Sequence, residues 1–143
     1  MEICCRPEKV LKTPGYRERY EACTPDAAVV AALGRVAAPM TVLLVYGAWC
    51  HDSARIVPEL LRTLAEAQSP LLRLLAVHVA YSETDPSPFM AGPIPVERYP
   101  TISLLKGGFE ALGTIEDGAE LVRFVERPLS AELLVAAIET ANA

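Results

Sequence analysis

An α/β protein built on a mixed sheet is what this sequence predicts, and three observations carry the prediction. Two apolar runs, 40–46 and 71–79, flank a segment whose apolar residues recur at helical spacing. A second pair of strand-like runs follows, separated by Gly107-Gly108. The chain then closes on another helical pattern. The order is β-α-β, a proline-rich crossover, then β-β-α. A helical crossover joins the first two strands as a right-handed parallel pair. The last two form an antiparallel hairpin, and helices are expected on both faces of the sheet.

Each element has a local reason. Residues 1–24 read as an N-terminal helical extension, broken by Pro7, Pro14 and Gly15, with a polar stretch at 16–21 that carries two tyrosines. Thr24-Pro25 resembles a helix start, a capping hydroxyl before a first-turn proline, for an Ala- and Val-rich helix over 27–36 that ends by Pro39. Residues 40–46 are nearly continuously apolar, as in a parallel strand covered on both faces. Residues 50–67 place Ile56, Leu60, Leu61, Leu64 and Ala65 at helical spacing. Pro58 lies inside that helix, where it removes a backbone donor and should kink it. Residues 71–79 form the next strand.

Pro86, Pro88, Pro93, Pro95 and Gly92 make 82–98 a loop with at most one short helical turn. Residues 101–106 are a strand, and 109–115 its returning partner. Residues 118–126 read as a short helix closed by Pro128. Ser130 can cap a last helix over 131–141, with Leu133, Leu134, Ala137 and Ile138 on one face. The domain proper thus spans 25–143.

Composition narrows the function. The chain has 143 residues, 52% hydrophobic and 6% aromatic, enough for one domain with a real core. A formal net charge of -5, with no basic stripe, argues against a nucleic-acid partner. No apolar run reaches the roughly 20 residues that span a bilayer, so no membrane is expected. The start lacks a basic segment followed by an apolar stretch, which points to the cytoplasm. Of the four cysteines, Cys4 and Cys5 are adjacent, so four thiols in a reducing compartment are expected rather than bridges. Their spacing with Cys23 and Cys50 matches no zinc pattern; neither a metal nor another cofactor is implied.

The chemistry concentrates in Trp49-Cys50-His51-Asp52-Ser53, at a strand-to-helix junction. A helix start offers free N–H groups and a partial positive charge, and both favour thiolate over thiol. Ser53 stands three residues on, on the same helix face, where its hydroxyl could donate to Cys50. A plain buried cysteine is the competing reading. His78, inside an apolar strand, reads as a satisfied core or edge histidine rather than a catalyst.

Trp49-Cys50-x-x-Ser53, Pro58, and Tyr99-Pro100-Thr101, in this element order, resemble the thioredoxin superfamily over roughly residues 25–141. The resemblance implies a thioredoxin-like three-layer α/β/α fold with a central mixed β-sheet. It maps the family's nucleophilic cysteine to Cys50, its resolving position to Ser53 and its cis-proline to Pro100. Trp49, Tyr99 and Pro100 would then line the substrate groove. Three departures stand out: Ser53 in place of a second thiol, Leu44 where thioredoxins carry a buried aspartate, and a long proline-rich 82–98.

Thiol–disulfide exchange passes through a mixed disulfide. With Ser53 the chain cannot resolve that species at its own motif. A small thiol, a second protein, or a thiol of the chain must do so, with Cys23 the candidate and Cys4 and Cys5 in a terminal segment behind it. The expected partners are protein disulfides or small thiols. Two alternatives stand beside this: a non-catalytic interaction module using the same groove, and a dithiol Cys-x-x-Cys parent whose second cysteine has been replaced by Ser53.

Overall fold

The computed structural model describes residues 2–83, 89–109 and 115–143. The chain enters the sheet at once, through the strand β1 (Glu2–Cys4). Two short helices follow, α1 (Pro7–Val10) and α2 (Tyr16–Ala22), then α3 (Ala27–Leu33). The central strand β2 (Met40–Tyr46) leads into α4 (His51–Ala67) and β3 (Leu72–His78). A single 3-10 turn (Tyr81–Glu83) precedes β4 (Phe89–Ala91) and β5 (Ile94–Val96). The chain ends with β6 (Thr101–Lys106), β7 (Glu120–Val125) and α5 (Ala131–Asn142).

Five strands form one mixed sheet in the order β1-β3-β2-β6-β7. Only β2 and β3 run parallel, in the register Met40↔Leu72 to Tyr46↔His78. The other pairings are antiparallel. All seven residues of β2 are buried, because both faces of the sheet are covered. Its side chains alternate between two cores. Met40, Val42, Leu44 and Tyr46 join one, and Leu43 and Val45 the other.

The two covers differ, and here the expected three-layer arrangement needs correction. Residues of all five helices belong to the first core, among them Val10, Tyr16, Leu33, Ile56, Leu61 and Leu134. Among the described residues the second core has no helix. It is covered by the β4–β5 ribbon, through Ala91, Ile94 and Val96, and by Val79, Tyr99, Ile115 and Ala119. The ribbon lies inside the stretch 82–98 expected as a loop; Gly92, at φ 61, opens its two-residue turn. Residues 84–88 of that stretch lie outside the described residues.

The helix expected over 118–126 is the strand β7. Its Phe124 and Val122 stand opposite Ile102 and Leu104, and pairing with β6 overrides the weak helical spacing. The return strand expected over 109–115 falls mostly on 110–114, outside the described residues; neither Phe109 nor Ile115 is in a strand. Arg123 binds both carboxylate oxygens of Glu120, at 2.8 and 3.0 Å, and donates to the Pro95 carbonyl at 3.0 Å. Ser103 also donates to Glu120, at 2.6 Å, so one polar network ties the ribbon to the sheet.

The N-terminal stretch is more than a helical extension. Glu2, Ile3 and Cys4 pair with His78, Val77 and Ala76, which puts Cys4 in the sheet rather than in a loose terminus. Val10, Leu11 and Tyr16 are buried in the first core. Arg62 of α4 holds α2 in place: it donates to the Tyr20 carbonyl at 2.9 Å and lies over the Tyr20 ring at 5.3 Å. At α3 the capping residue is Asp26, which accepts from the Ala28 N–H at 2.8 Å, rather than Thr24. Ser130 occupies the cap position of α5, but its side chain makes no capping bond.

Candidate functional site

The site forms where β2 hands over to α4. Cys50 is the N-cap residue of α4, with extended backbone angles (φ -91, ψ 128). Its carbonyl accepts the Ala54 N–H at 3.1 Å, and no side chain caps the first turn. The half-buried Cys50 thus stands at the uncapped start of the helix, where free N–H groups gather. Its Sγ donates to the Tyr99 carbonyl at 3.3 Å. The Tyr99–Pro100 peptide bond is cis. Cys50, Tyr99 and Pro100, far apart in sequence, thus meet at one point.

Trp49 walls this point. It is 41% exposed, yet its Nε1 donates to the Val79 carbonyl at 2.8 Å. Its ring meets Tyr99 edge-on at 5.6 Å and Tyr81 at 5.2 Å. Tyr81 is 71% exposed, so Trp49 and Tyr81 together present an aromatic surface beside the thiol. Glu83 steadies the turn that carries Tyr81, accepting the Ala80 N–H at 2.9 Å. That hydrogen bond holds the Glu83 carboxyl below the usual carboxylate range.

Ser53 is fully buried. Its Oγ accepts the Gly47 N–H at 3.3 Å. The hydroxyl is thus tied to the turn before Trp49, and no hydrogen bond joins it to Cys50 Sγ. Asp52 is paired with Arg55 at 3.2 Å on the exposed side of α4, and His51 is exposed.

Two further residues shape the turn, Gly47, which sequence reasoning did not single out, and His78, which it read only as a core or edge histidine. The first is Gly47, where a Cβ would lie 2.4 Å from Trp49 Cε2, so only glycine lets the indole close on the backbone. Its place just ahead of the Trp-Cys pair is the signal that points to it. The second is His78, whose Nε2 accepts the Ala48 N–H at 3.0 Å while its ring meets Tyr46 edge-on at 5.3 Å. It is a satisfied edge histidine, and it also braces the Cys50 turn.

The remaining thiols lie elsewhere. Cys23 caps the C-terminal end of α2, and its Sγ donates to the Tyr20 carbonyl at 3.4 Å. With Arg55 and Glu59 it lines a shallow cavity of about 260 Å³. Glu59 stands roughly 13 Å beyond Cys50 along α4 at the rise of an α-helix. Burial raises the Cys23 thiol above the usual range. Cys4 lines a groove of about 330 Å³ that runs past Tyr46 and His78 to Ala48. Cys5 is exposed on a different groove, with Pro7 and Leu61. Among the described residues no three His, Cys, Asp or Glu side chains converge to hold a metal ion.

No helix of the described chain is long and apolar enough to cross a membrane. No family model and no curated protein matches the chain. Among solved structures it is similar to a protein of unknown function from Pseudomonas aeruginosa, with 18% identity, a TM-score of 0.50, and coverage of 94% of this chain and 81% of that one. It is similar also to the crystal structure of an HIV epitope-scaffold, with 18% identity, a TM-score of 0.51, and coverage of 94% and 79%. Both likenesses are of fold.

Proposed function

We propose that the chain is a thioredoxin-like protein that works through one thiol, Cys50, in thiol–disulfide exchange. The observation that carries the reading is the meeting of Cys50, at an uncapped 17-residue helix start, with the Tyr99 carbonyl and the Trp49 wall. A substrate disulfide approaches that wall. The Cys50 thiolate attacks one sulfur; a new S–S bond forms, the old one breaks, and the departing sulfur leaves as a thiolate. Ser53 has no sulfur to attack in turn. A second thiolate, on a small molecule or another protein, then attacks the partner sulfur of that mixed disulfide; a new S–S bond forms there, the bond to Cys50 breaks, and Cys50 leaves as thiolate. Tyr99 and Pro100 line the path of an extended substrate segment. All four cysteines are free, which suits a reducing compartment such as the cytoplasm.

Cys23 is a poor resolving thiol on this reading, because it sits beside the middle of α4 and burial disfavours its charged form. Cys4 opens on a groove that reaches Ala48, closer to the site. The test is reduction of a small aromatic disulfide by the whole chain with a monothiol as reductant. Cys50→Ala should lose catalysed exchange, and Cys23→Ala should keep it. Full exchange by Cys50→Ala would sink the reading.

One observation favours a second reading, an interaction module: the exposed Trp49–Tyr81 pair. Binding of an extended peptide that survives Cys50 alkylation and is lost in Trp49→Ala would support it.

A further inference from the structure

The groove of about 330 Å³ that Cys4 lines takes no part in the exchange at Cys50. Lys9 and Lys12 stand on its rim. The Lys12 N–H donates to the Lys9 carbonyl at 3.2 Å, so one turn of chain makes the two residues neighbours. Both are exposed, and neither forms a salt bridge among the described residues. Glu8, the acid beside Lys9, is paired instead with Arg17 at 2.8 Å. Among the described residues Glu2 is the one acid that lines the groove, against two lysines. Like charges at this spacing repel, and an anion held between them removes that cost. The whole chain carries a formal net charge of -5, so the cationic rim is a local feature.

Below the rim the lining changes character. Val10, Tyr46 and Ala76 are buried members of the first core and give the groove an apolar floor. Thr13 adds a hydroxyl, and burial pushes the Tyr46 phenol above its usual range, so its oxygen keeps a proton to donate. An apolar cleft with a few polar groups at one side is the ordinary form of a small-ligand site. The donors also choose among anions. A planar carboxylate is matched best by the fork of an arginine, and no arginine lines this groove among the described residues. Lysines act as point charges and suit a compact anion with many oxygens. A phosphate monoester carries close to two negative charges at neutral pH and has three acceptor oxygens.

We propose that this groove binds a small phosphate monoester with an apolar body, its phosphate at Lys9 and Lys12 and its body over Val10, Tyr46 and Ala76. The ligand is held without a covalent step. The site owes nothing to the reactivity of Cys50, so it stands or falls apart from the exchange reading. Cys4 is a wall of the groove and serves as a reporter of its occupancy.

The experiment titrates phenyl phosphate into the full chain at low salt and follows the amide resonances of Val10, Ala48 and Ala76. These should shift and saturate at millimolar phenyl phosphate, and added salt should weaken the binding. The double variant Lys9→Gln/Lys12→Gln should bind about tenfold more weakly, with its melting temperature unchanged because both side chains are exposed. Benzyl alcohol keeps the body without the charge, and inorganic phosphate the charge without the body; each should bind more weakly than phenyl phosphate. Shifts that do not saturate, or a double variant that binds as wild type does, overturn the proposal. Equal binding of benzoate overturns the choice of phosphate, and equal binding of inorganic phosphate overturns the apolar body. If the double variant does not fold, iodoacetamide mapping of wild type decides. Phenyl phosphate should slow alkylation of Cys4 and leave Cys5, on its separate groove, at its own rate. A Cys4 rate that phenyl phosphate does not change overturns the proposal.

Discussion

Cys50 and Cys23 are the same side chain at opposite ends of helices, and the difference shows what a scaffold does to a thiol. Cys50 caps the N-terminus of α4, where N–H groups point outward and the dipole is positive. Cys23 caps the C-terminus of α2, where carbonyls point outward; the Sγ of each donates to a backbone carbonyl, that of Tyr99 for Cys50 and of Tyr20 for Cys23. Cys50 has an aromatic wall beside it. Cys23 has Arg62 and Glu59 near it and a shallow cavity. Neither sequence neighbourhood differs much in polarity; the end of the helix each thiol caps, and the burial that raises Cys23, separate them.

The largest effect expected from this comparison is kinetic. At neutral pH Cys50 should be alkylated about tenfold faster than Cys23, or more, as read by peptide mapping. Equal rates would mean that the helix start does not activate Cys50. Next comes the turn that aims Cys50. Gly47→Ala places a methyl 2.4 Å from the indole, and the loss of stability in denaturant should be about 1–3 kcal/mol. Trp49 fluorescence should change with it, since the ring must move. Ser53→Ala leaves the Gly47 N–H without its buried partner, at a cost of about 1–2 kcal/mol. If Ser53→Ala were neutral, the hydroxyl would not be holding the turn.

Much of this was readable from the chain, and unevenly so. The strands at 40–46 and 101–106 fall where expected, because continuous apolar runs bounded by proline or glycine leave little choice. α4 matches as well, since 17 residues of clear periodicity outweigh Pro58. β7 departs from the helix expected there because Leu121-Val122 and Phe124-Val125 satisfy helical and extended spacing alike; only the register against β6 decides. β1 has three residues and no pattern, and exists because β3 offers it an edge. In the site, the place of Cys50 at a helix start follows from the sequence. The roles of Gly47 and His78 do not, because one depends on a clash that geometry alone reveals and the other on a contact with a residue distant in sequence.

The smallest effect concerns Cys23 and tests the comparison from the side of stability. Burial raises the folded thiol above its unfolded value, so between the two the folded chain keeps a proton that the unfolded chain has lost. The contribution of that protonated thiol is complete below the ordinary thiol range and is lost as pH rises through the folded value. The stability difference between wild type and Cys23→Ser, from denaturant curves at several pH values, should therefore shift against wild type as pH rises. A difference flat with pH would show that Cys23 feels no burial.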